Sequence, residues 1–207
     1  MEISENTSKI TFLGAAGTVT GSRFLLSCGD TKVMVDCGLF QGLKELRLRN
    51  WNPLPIDPEK IDAVVLSHAH LDHCGYLPKL VKDGFAGKIY SSGYSAKLAE
   101  VILTDSARIQ VEDAEYAAKK KFSKHNPPLA LYNEADAVNA VHRFEPVAFG
   151  ERTKIAEQTF VTLRPSGHIL GSATIEVEFF GKRLLFTGDL GRNSHPLLVD
   201  PAAVPAG

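Results

Sequence analysis

No stretch of this sequence is apolar for long enough to cross a membrane. Its first nine residues, MEISENTSK, are polar and acidic where a secretory leader would be basic and then apolar. Cysteine is scarce as well: Cys28, Cys37 and Cys74 are the three in 207 residues, and no two form a CxxC pair. So sparse and odd a set excludes a zinc ribbon and a disulfide framework, and points to reduced thiols in a cytoplasmic protein. Excess charge of either sign is also missing. The 23 Lys and Arg against 24 Asp and Glu leave a net charge of −1, so no basic surface announces nucleic acid. There is no repeat of fixed period and no low-complexity tract. What remains is an ordinary composition, 44% hydrophobic, enough for one domain with a sizeable core or for part of a larger one.

Strand and helix patterns alternate along the chain. KITFLGA (9–15), RFLLSC (23–28) and TKVMVDC (31–37) read as strands, with Gly29-Asp30 as a hairpin turn and GAAGTVTGS as a glycine-rich loop. DAVVLS (62–67) is a short buried strand and GKIYSS (87–92) another. A helix can start at Asp72, with Leu77, Leu80 and Val81 on its apolar face. A long helix is expected from Ser95 to about Lys121, with Ala99, Ile102, Leu103, Ser106 and Ile109 on one side. Pro127-Pro128 ends that region, and 134–141 suits a shorter helix. Strands return at 159–165, 173–180 and 183–189, the last two joined by a turn at Gly181-Lys182.

Between the buried strand and the first helix lies HAHLDH, which packs His68, His70, Asp72 and His73 into six residues. In extended chain, side chains at i and i+2 share a face, so His68 and His70 point the same way just past the strand. Asp72 and His73 turn with the chain into the helix and address a neighbouring point. Imidazoles and a carboxylate converging on two adjacent positions suit a pair of metal ions: zinc, or manganese or iron. The plain alternative is a histidine-rich surface loop, which a buried strand leading into the motif disfavours. Two later segments offer further ligands. His168 lies in the glycine-flanked loop RPSGHILGSA, and Asp189 follows the apolar strand of RLLFTGDLGR, where Gly188 permits a sharp turn. Asp36 in MVDCG sits at a comparable strand end. Each aspartate taken alone is an ordinary turn former; together with the histidines they mark strand ends and loops, where function concentrates.

The series VDCG, HAHLDH, GHILGSA and TGDLGR, in that order, resembles the metallo-β-lactamase superfamily, and within it the β-CASP branch of RNA-processing nucleases. The likeness runs from TFLGAAGTVTGS to GRNSHPLLVDP and includes the helical DSARIQVEDAEYAAKK. The resemblance implies an α/β (α+β) fold, the four-layer αββα sandwich of two mixed sheets with helices outside. It implies that His68, His70 and His168 hold one zinc, that Asp72 and His73 hold a second, and that Asp189 bridges them. Asp36 would sit behind the ligands and fix their orientation, and Asp72 and Asp189 would serve the reaction itself. The substrate implied is RNA, cut to leave a 3′-hydroxyl and a 5′-phosphate; homo-oligomerisation stays open.

Members of that branch run to roughly twice this length. Residues 1–207 are therefore expected to be the N-terminal portion of a single metallo-β-lactamase-like domain, without the β-CASP domain, the last strand and helix, the final histidine ligand and the family's general acid. Such a chain is expected to cleave RNA poorly by itself. Two other classes compete: another hydrolase of the superfamily, such as a thioester hydrolase of the glyoxalase II type or a β-lactamase, and a remnant without turnover. GHILG stands where the thioesterases have GHTxG, and Asp189 stands where zinc lactamases have cysteine. Outside the series, His125, His142 and His195 read as surface histidines, and Cys37 and Cys74 as small buried thiols. Lys119, Lys120, Lys121 and Lys124 read as a solvated helix end. Ser166 and Ser172 flank His168 and could meet a phosphate or simply shape the turn.

Overall fold

The structure is a computed structural model that describes residues 7–120 and 129–203. The chain begins with strands β1 (Lys9–Phe12), β2 (Phe24–Cys28) and β3 (Thr31–Val35), then a short helix α1 (Lys44–Arg49). After β4 (Ala63–Val65) come helices α2 (Leu71–Cys74) and α3 (Leu77–Lys82), β5 (Lys88–Ser91), and the long α4 (Gly93–Lys120). Helix α5 (Glu134–Val141) precedes β6 (Phe144–Pro146), β7 (Arg152–Ala156), β8 (Thr159–Pro165), β9 (Ala173–Phe179) and β10 (Lys182–Phe186).

Strands β1 to β6 form one sheet in chain order, antiparallel through β3 and parallel from β3 to β6. The other sheet, β10-β9-β8-β7, is antiparallel throughout. Only the first sheet is mixed, against the expectation for both. Short loops join β7 through β10, and short loops return a strand beside its predecessor in the opposite direction; parallel pairs need the helical crossovers that β4, β5 and β6 have.

Alternation along β3 and β4 explains the layering. Val33, Val35, Ala63 and Val65 face the second sheet, where they pack with Val161, Leu163, Ile175, Val177 and Phe179. Met34, Val64 and Leu66 face the other way, against Leu77 and Leu80 of α3, Ala99, Leu103 and Ala107 of α4, and Ala137 and Ala140 of α5. A sheet covered on both faces needs continuous apolar strands, and residues 33–35 and 63–65 are all buried. The apolar core residues of the helices all belong to this second cluster. The outer face of β7–β10 instead carries ion pairs, Arg152–Glu178, Arg164–Glu176 and Arg183–Glu176. The described residues thus fill three layers of the αββα order, α/β/β.

Three details differ from the sequence pattern. Ile109 is 48% exposed, because six residues beyond the buried Leu103 it is turned by about 120° from it; Ala107, turned by only about 40°, takes its place on the buried side. The second hairpin turns at Phe180-Gly181, both with positive φ (46° and 75°), as a two-residue turn matching strand twist requires, and Lys182 belongs to the strand. The single helix expected after Asp72 is two, α2 and α3, meeting near Gly75-Tyr76. Pro127-Pro128, His125, Lys121 and Lys124 lie outside the described residues.

Candidate metal centre

Both sheets deliver side chains to one end of the sandwich. The chain leaves β4 through Leu66 and Ser67, and His70 occupies the N-cap position of α2. From the second sheet, the β8–β9 loop brings His168 and the segment after β10 brings Asp189. The sheets are tied there by Ala173 N, which donates to Ser67 O at 2.9 Å. Gly188, with φ 52°, makes the turn before Asp189; a Cβ on it would lie 2.9 Å from Ser67 Cβ.

Donor atoms of His68, His70, His168 and Asp189 lie within 4.8 Å of one another. His68 Nε2 is 3.0 Å from His70 Nδ1, and His168 Nε2 is 3.1 Å from that same Nδ1. Asp189 Oδ2 stands 3.7 Å from His68 Nε2 and 3.3 Å from His168 Nε2. Its other oxygen, Oδ1, faces away toward His73 Nε2 at 3.4 Å, and Asp72 Oδ2 is 3.9 Å from that Nε2. The six residues therefore fall into two groups on either side of the Asp189 carboxylate.

Behind them Asp36 is 2% exposed, at the end of β3, with the positive φ of 55° that few non-glycine residues adopt. Its Oδ1 accepts from Ser67 N at 2.8 Å. Its Oδ2 accepts from His73 Nδ1 at 2.7 Å and from the Ser67 and Ser22 hydroxyls at 3.0 and 3.1 Å. A carboxylate can only accept, so His73 must carry its proton on Nδ1 and turn the Nε2 lone pair toward Asp189. Burial alone would depress the His73 pKa, but the Asp36 bond and charge, with Asp72 and Asp189, outweigh it and hold it above the ordinary value. His68 goes the other way: burial, then the neighbouring His73, His70 and His168, push it down to about 2. His70 is also lowered, by burial first and His168 next.

Neutral imidazoles crowding their ring nitrogens together suit a cation. Tetrahedral coordination at about 2.0–2.1 Å sets neighbouring ligand atoms about 3.3–3.4 Å apart. The distances of 3.0, 3.1, 3.3 and 3.7 Å around His68, His70, His168 and Asp189 bracket that value. Asp72 and His73 offer two more donors of the right type beside the free Asp189 oxygen.

The superfamily model described as metallo-beta-lactamase matches residues 19–207. The chain belongs to the metallo-beta-lactamase superfamily. This metallo-beta-lactamase fold implies a divalent metal ion, and the donor set above fits one. Among curated proteins, the chain is 34% identical to a ribonuclease of Thermus thermophilus over 95% of its own length and 41% of the relative's. It is 30% identical to transcription termination factor FttA of Methanocaldococcus jannaschii (94% and 29%), and 31% to cleavage and polyadenylation specificity factor 73 of Drosophila melanogaster (87% and 24%). The chain thus spans less than half the length of these relatives. Among solved structures, a motif mutant of a Cronobacter sakazakii metallo-beta-lactamase is similar in fold, with a TM-score of 0.53 at 16% identity, covering 91% of this chain and 62% of that one.

Several residues take no part in the cluster. Ser172 is a turn serine whose hydroxyl accepts from His168 N and Ile169 N, and Ser166 is fully buried, so neither faces an incoming phosphate. His195 Nδ1 accepts from Leu197 N and Leu198 N, His142 caps the C-terminus of α5, and Lys119 and Lys120 end α4. Cys37 and Cys74 are buried, and burial raises both thiols, Cys37 to about 12. Other participants escaped the sequence reading. Ser67 links Asp36, His68 and His73, and its one signal is its place directly before the motif. Ser92 and Ser95, at the start of α4, both donate to Gly171 O and so hold the His168 loop.

Proposed function

We propose that this chain carries the catalytic centre of a zinc-dependent ribonuclease of the β-CASP branch. The observation that carries this reading is the placement of the Asp189 carboxylate, one oxygen toward His68 and His168 and the other toward His73. That is the arrangement a carboxylate shared by two cations requires. His68, His70 and His168 would hold one zinc, Asp72 and His73 the second, and Asp189 both; manganese or iron fits the same donors. A cation pair there supplies Lewis acidity and neutralises charge on a phosphodiester. The protein's own part is positional and acid–base. Asp36 keeps His73 in one tautomer, the buried His68 stays neutral, and the Asp72 carboxylate, 21% exposed at the mouth, can accept a proton from an attacking water.

RNA as substrate is supported by the ribonuclease among the relatives and by the GHILGSA and TGDLGR forms. Among the described residues no helix is long and apolar enough to cross a membrane. The three cysteines are buried and form no disulfide among the described residues, which fits a reducing compartment, and we place the protein in the cytoplasm on that ground. The test is single-turnover cleavage of labelled RNA with zinc by the chain extended to the length of its relatives, set against thioester and nitrocefin hydrolysis. RNA cleavage lost on chelation, in Asp72→Asn and in His168→Ala is the expected result. Thioester or nitrocefin turnover with RNA untouched would refute the reading.

A further inference from the structure

Arg23, just before β2, is 2% exposed. Its guanidinium lies over the Tyr76 ring, 3.9 Å from the centroid, with Phe40 at 5.2 Å. Nε donates to Gly38 O at 2.7 Å and Nη2 to Asn50 Oδ1 at 3.2 Å, so both acceptors are uncharged. Burying a cation without a counter-charge is costly, and burial lowers its pKa accordingly. A methionine of similar volume would avoid that cost. The position of the group shows what it achieves.

Asn50, held by Arg23, accepts from Phe40 N at 2.9 Å and donates to Phe40 O at 2.8 Å. Arg23 therefore pins both ends of the segment Gly38-Leu39-Phe40, one directly and one through Asn50. That segment lies against α2. Cys37 N donates to His73 O at 2.7 Å and Leu39 N to Leu71 O at 2.8 Å. Gly38 rests on the Asp72–His73 peptide so closely that a Cβ would lie 1.6 Å from Asp72 O. Only one layer of backbone separates the guanidinium from the helix bearing Asp72 and His73. His68, His168 and Asp189 are held by other contacts, through Ser67, Ser172 and Gly188.

We propose that Arg23 is a positioning residue for Asp72 and His73, setting the height of α2 through the Gly38–Phe40 segment. Its consequence for metal binding rests on the reading of those two side chains as ligands; the geometric claim does not. The planar fork reaches Gly38 O and Asn50 together, whereas a lysine ammonium reaches one of them and stacks less well.

The experiment is amide hydrogen exchange on metal-free Arg23→Met and Arg23→Lys, with zinc competition on the same proteins. In Arg23→Met the Cys37 and Leu39 amides should exchange about 10–100-fold faster, the loss expected for hydrogen bonds to a charged group, while the amides of β4 stay protected. Arg23→Lys should recover part of that protection, and if Arg23→Met does not fold, Arg23→Lys against wild type makes the same comparison. Unchanged protection at Cys37 and Leu39, or a loss shared equally by β4, overturns the proposal. Zinc competition then separates the two ideas. Faster exchange with weaker binding of the zinc assigned to Asp72 and His73, the looser of the two because only the shared Asp189 joins those two donors against three imidazoles at the other, supports both; faster exchange with zinc binding unmoved leaves the positioning role standing and removes Asp72 and His73 as ligands.

Discussion

Replacing Asp36 by asparagine tests the logic of the centre with almost no change of shape. Four donors meet this carboxylate: Ser67 N, the hydroxyls of Ser67 and Ser22, and His73 Nδ1. Asparagine offers one acceptor oxygen and one NH2 group. Ser67 N belongs to the backbone and cannot rotate away, so the oxygen stays on it and the NH2 falls where Oδ2 was. The two hydroxyls can turn and accept. His73 can accept only by giving up its Nδ1 proton and carrying one on Nε2, where it would point at Asp189 and Asp72 and have no lone pair for a metal.

The magnitude follows from what is lost. A hydrogen bond to a charged partner contributes about 1.5–3 kcal/mol, and removing a partner that orients a metal-bound histidine typically costs about 10–100-fold in affinity, about 1.4–2.8 kcal/mol. The two agree, so the looser zinc should weaken about 10–100-fold. The tighter one should change little, because Ser67 N keeps its acceptor and His68 its place. Zinc competition against a chromophoric chelator measures both affinities, and imidazole ¹⁵N shifts of the metal-free protein report the His73 tautomer. Equal weakening of both zincs, or a His73 that keeps its proton on Nδ1, would sink the reasoning.

Other outcomes follow from the same geometry. Purified protein should retain nearer one zinc than two by elemental analysis; Asp189→Ala should weaken both equivalents and His73→Ala only the looser. Gly38→Ala should destabilise the fold by at least about 3 kcal/mol in urea, the upper end for overpacking, because its Cβ would meet the Asp72 backbone, which cannot rotate aside. The metal-free protein should lose about 2 kcal/mol between pH 6.5 and 5, at about 1.4 kcal/mol per unit for one proton. The sign comes from His68: its folded pKa of about 2 lies below the unfolded value, so its contribution is present above pH 6.5 and drains as pH falls. His70 acts in the same sense, and His73, raised, keeps its contribution across that window. A urea midpoint unchanged from pH 6.5 to 5 would contradict this.

How much of this was legible in the sequence depended on whether a residue's role is written locally. The two-sided burial of β3 and β4 shows as runs of aliphatic residues, and the spacing of HAHLDH follows from strand period and helix start. Elements that bury little left no such trace. Helix α1 has no buried residue, β6 is three residues ending in Pro146, and β7 buries only Ile155. The meeting of His168 with His70, 98 residues away, is a consequence of how two sheets pack, and only family resemblance anticipated it. Ser67, Asn50 and Arg23 act through hydrogen bonds fixed by tertiary position, for which residue type gives no warning.

The proposed ligands come from separate layers. His68, His70, Asp72 and His73 follow a strand of the six-stranded sheet; His168 and Asp189 come from the four-stranded one. The direct polar ties between them at this end include Ala173 N to Ser67 O and the Ser92 and Ser95 hydroxyls to Gly171 O, beside the 2.9 Å approach that a Cβ on Gly188 would make to Ser67. A metal held by His68, His70, His168 and Asp189 would therefore act as a cross-link between the sheets as well as a reaction centre. Anything bound by the folded state alone stabilises it by RT ln(1 + [L]/Kd), about 2.7 kcal/mol at a hundred times Kd. That gain would appear where the sheets part. Zinc should then slow amide exchange at Ala173 and along the start of β9 more than at Val64, which both faces of the core already protect. A metal that protected only the HAHLDH segment would have to be bound within one sheet, and the shared role of Asp189 would be lost with it.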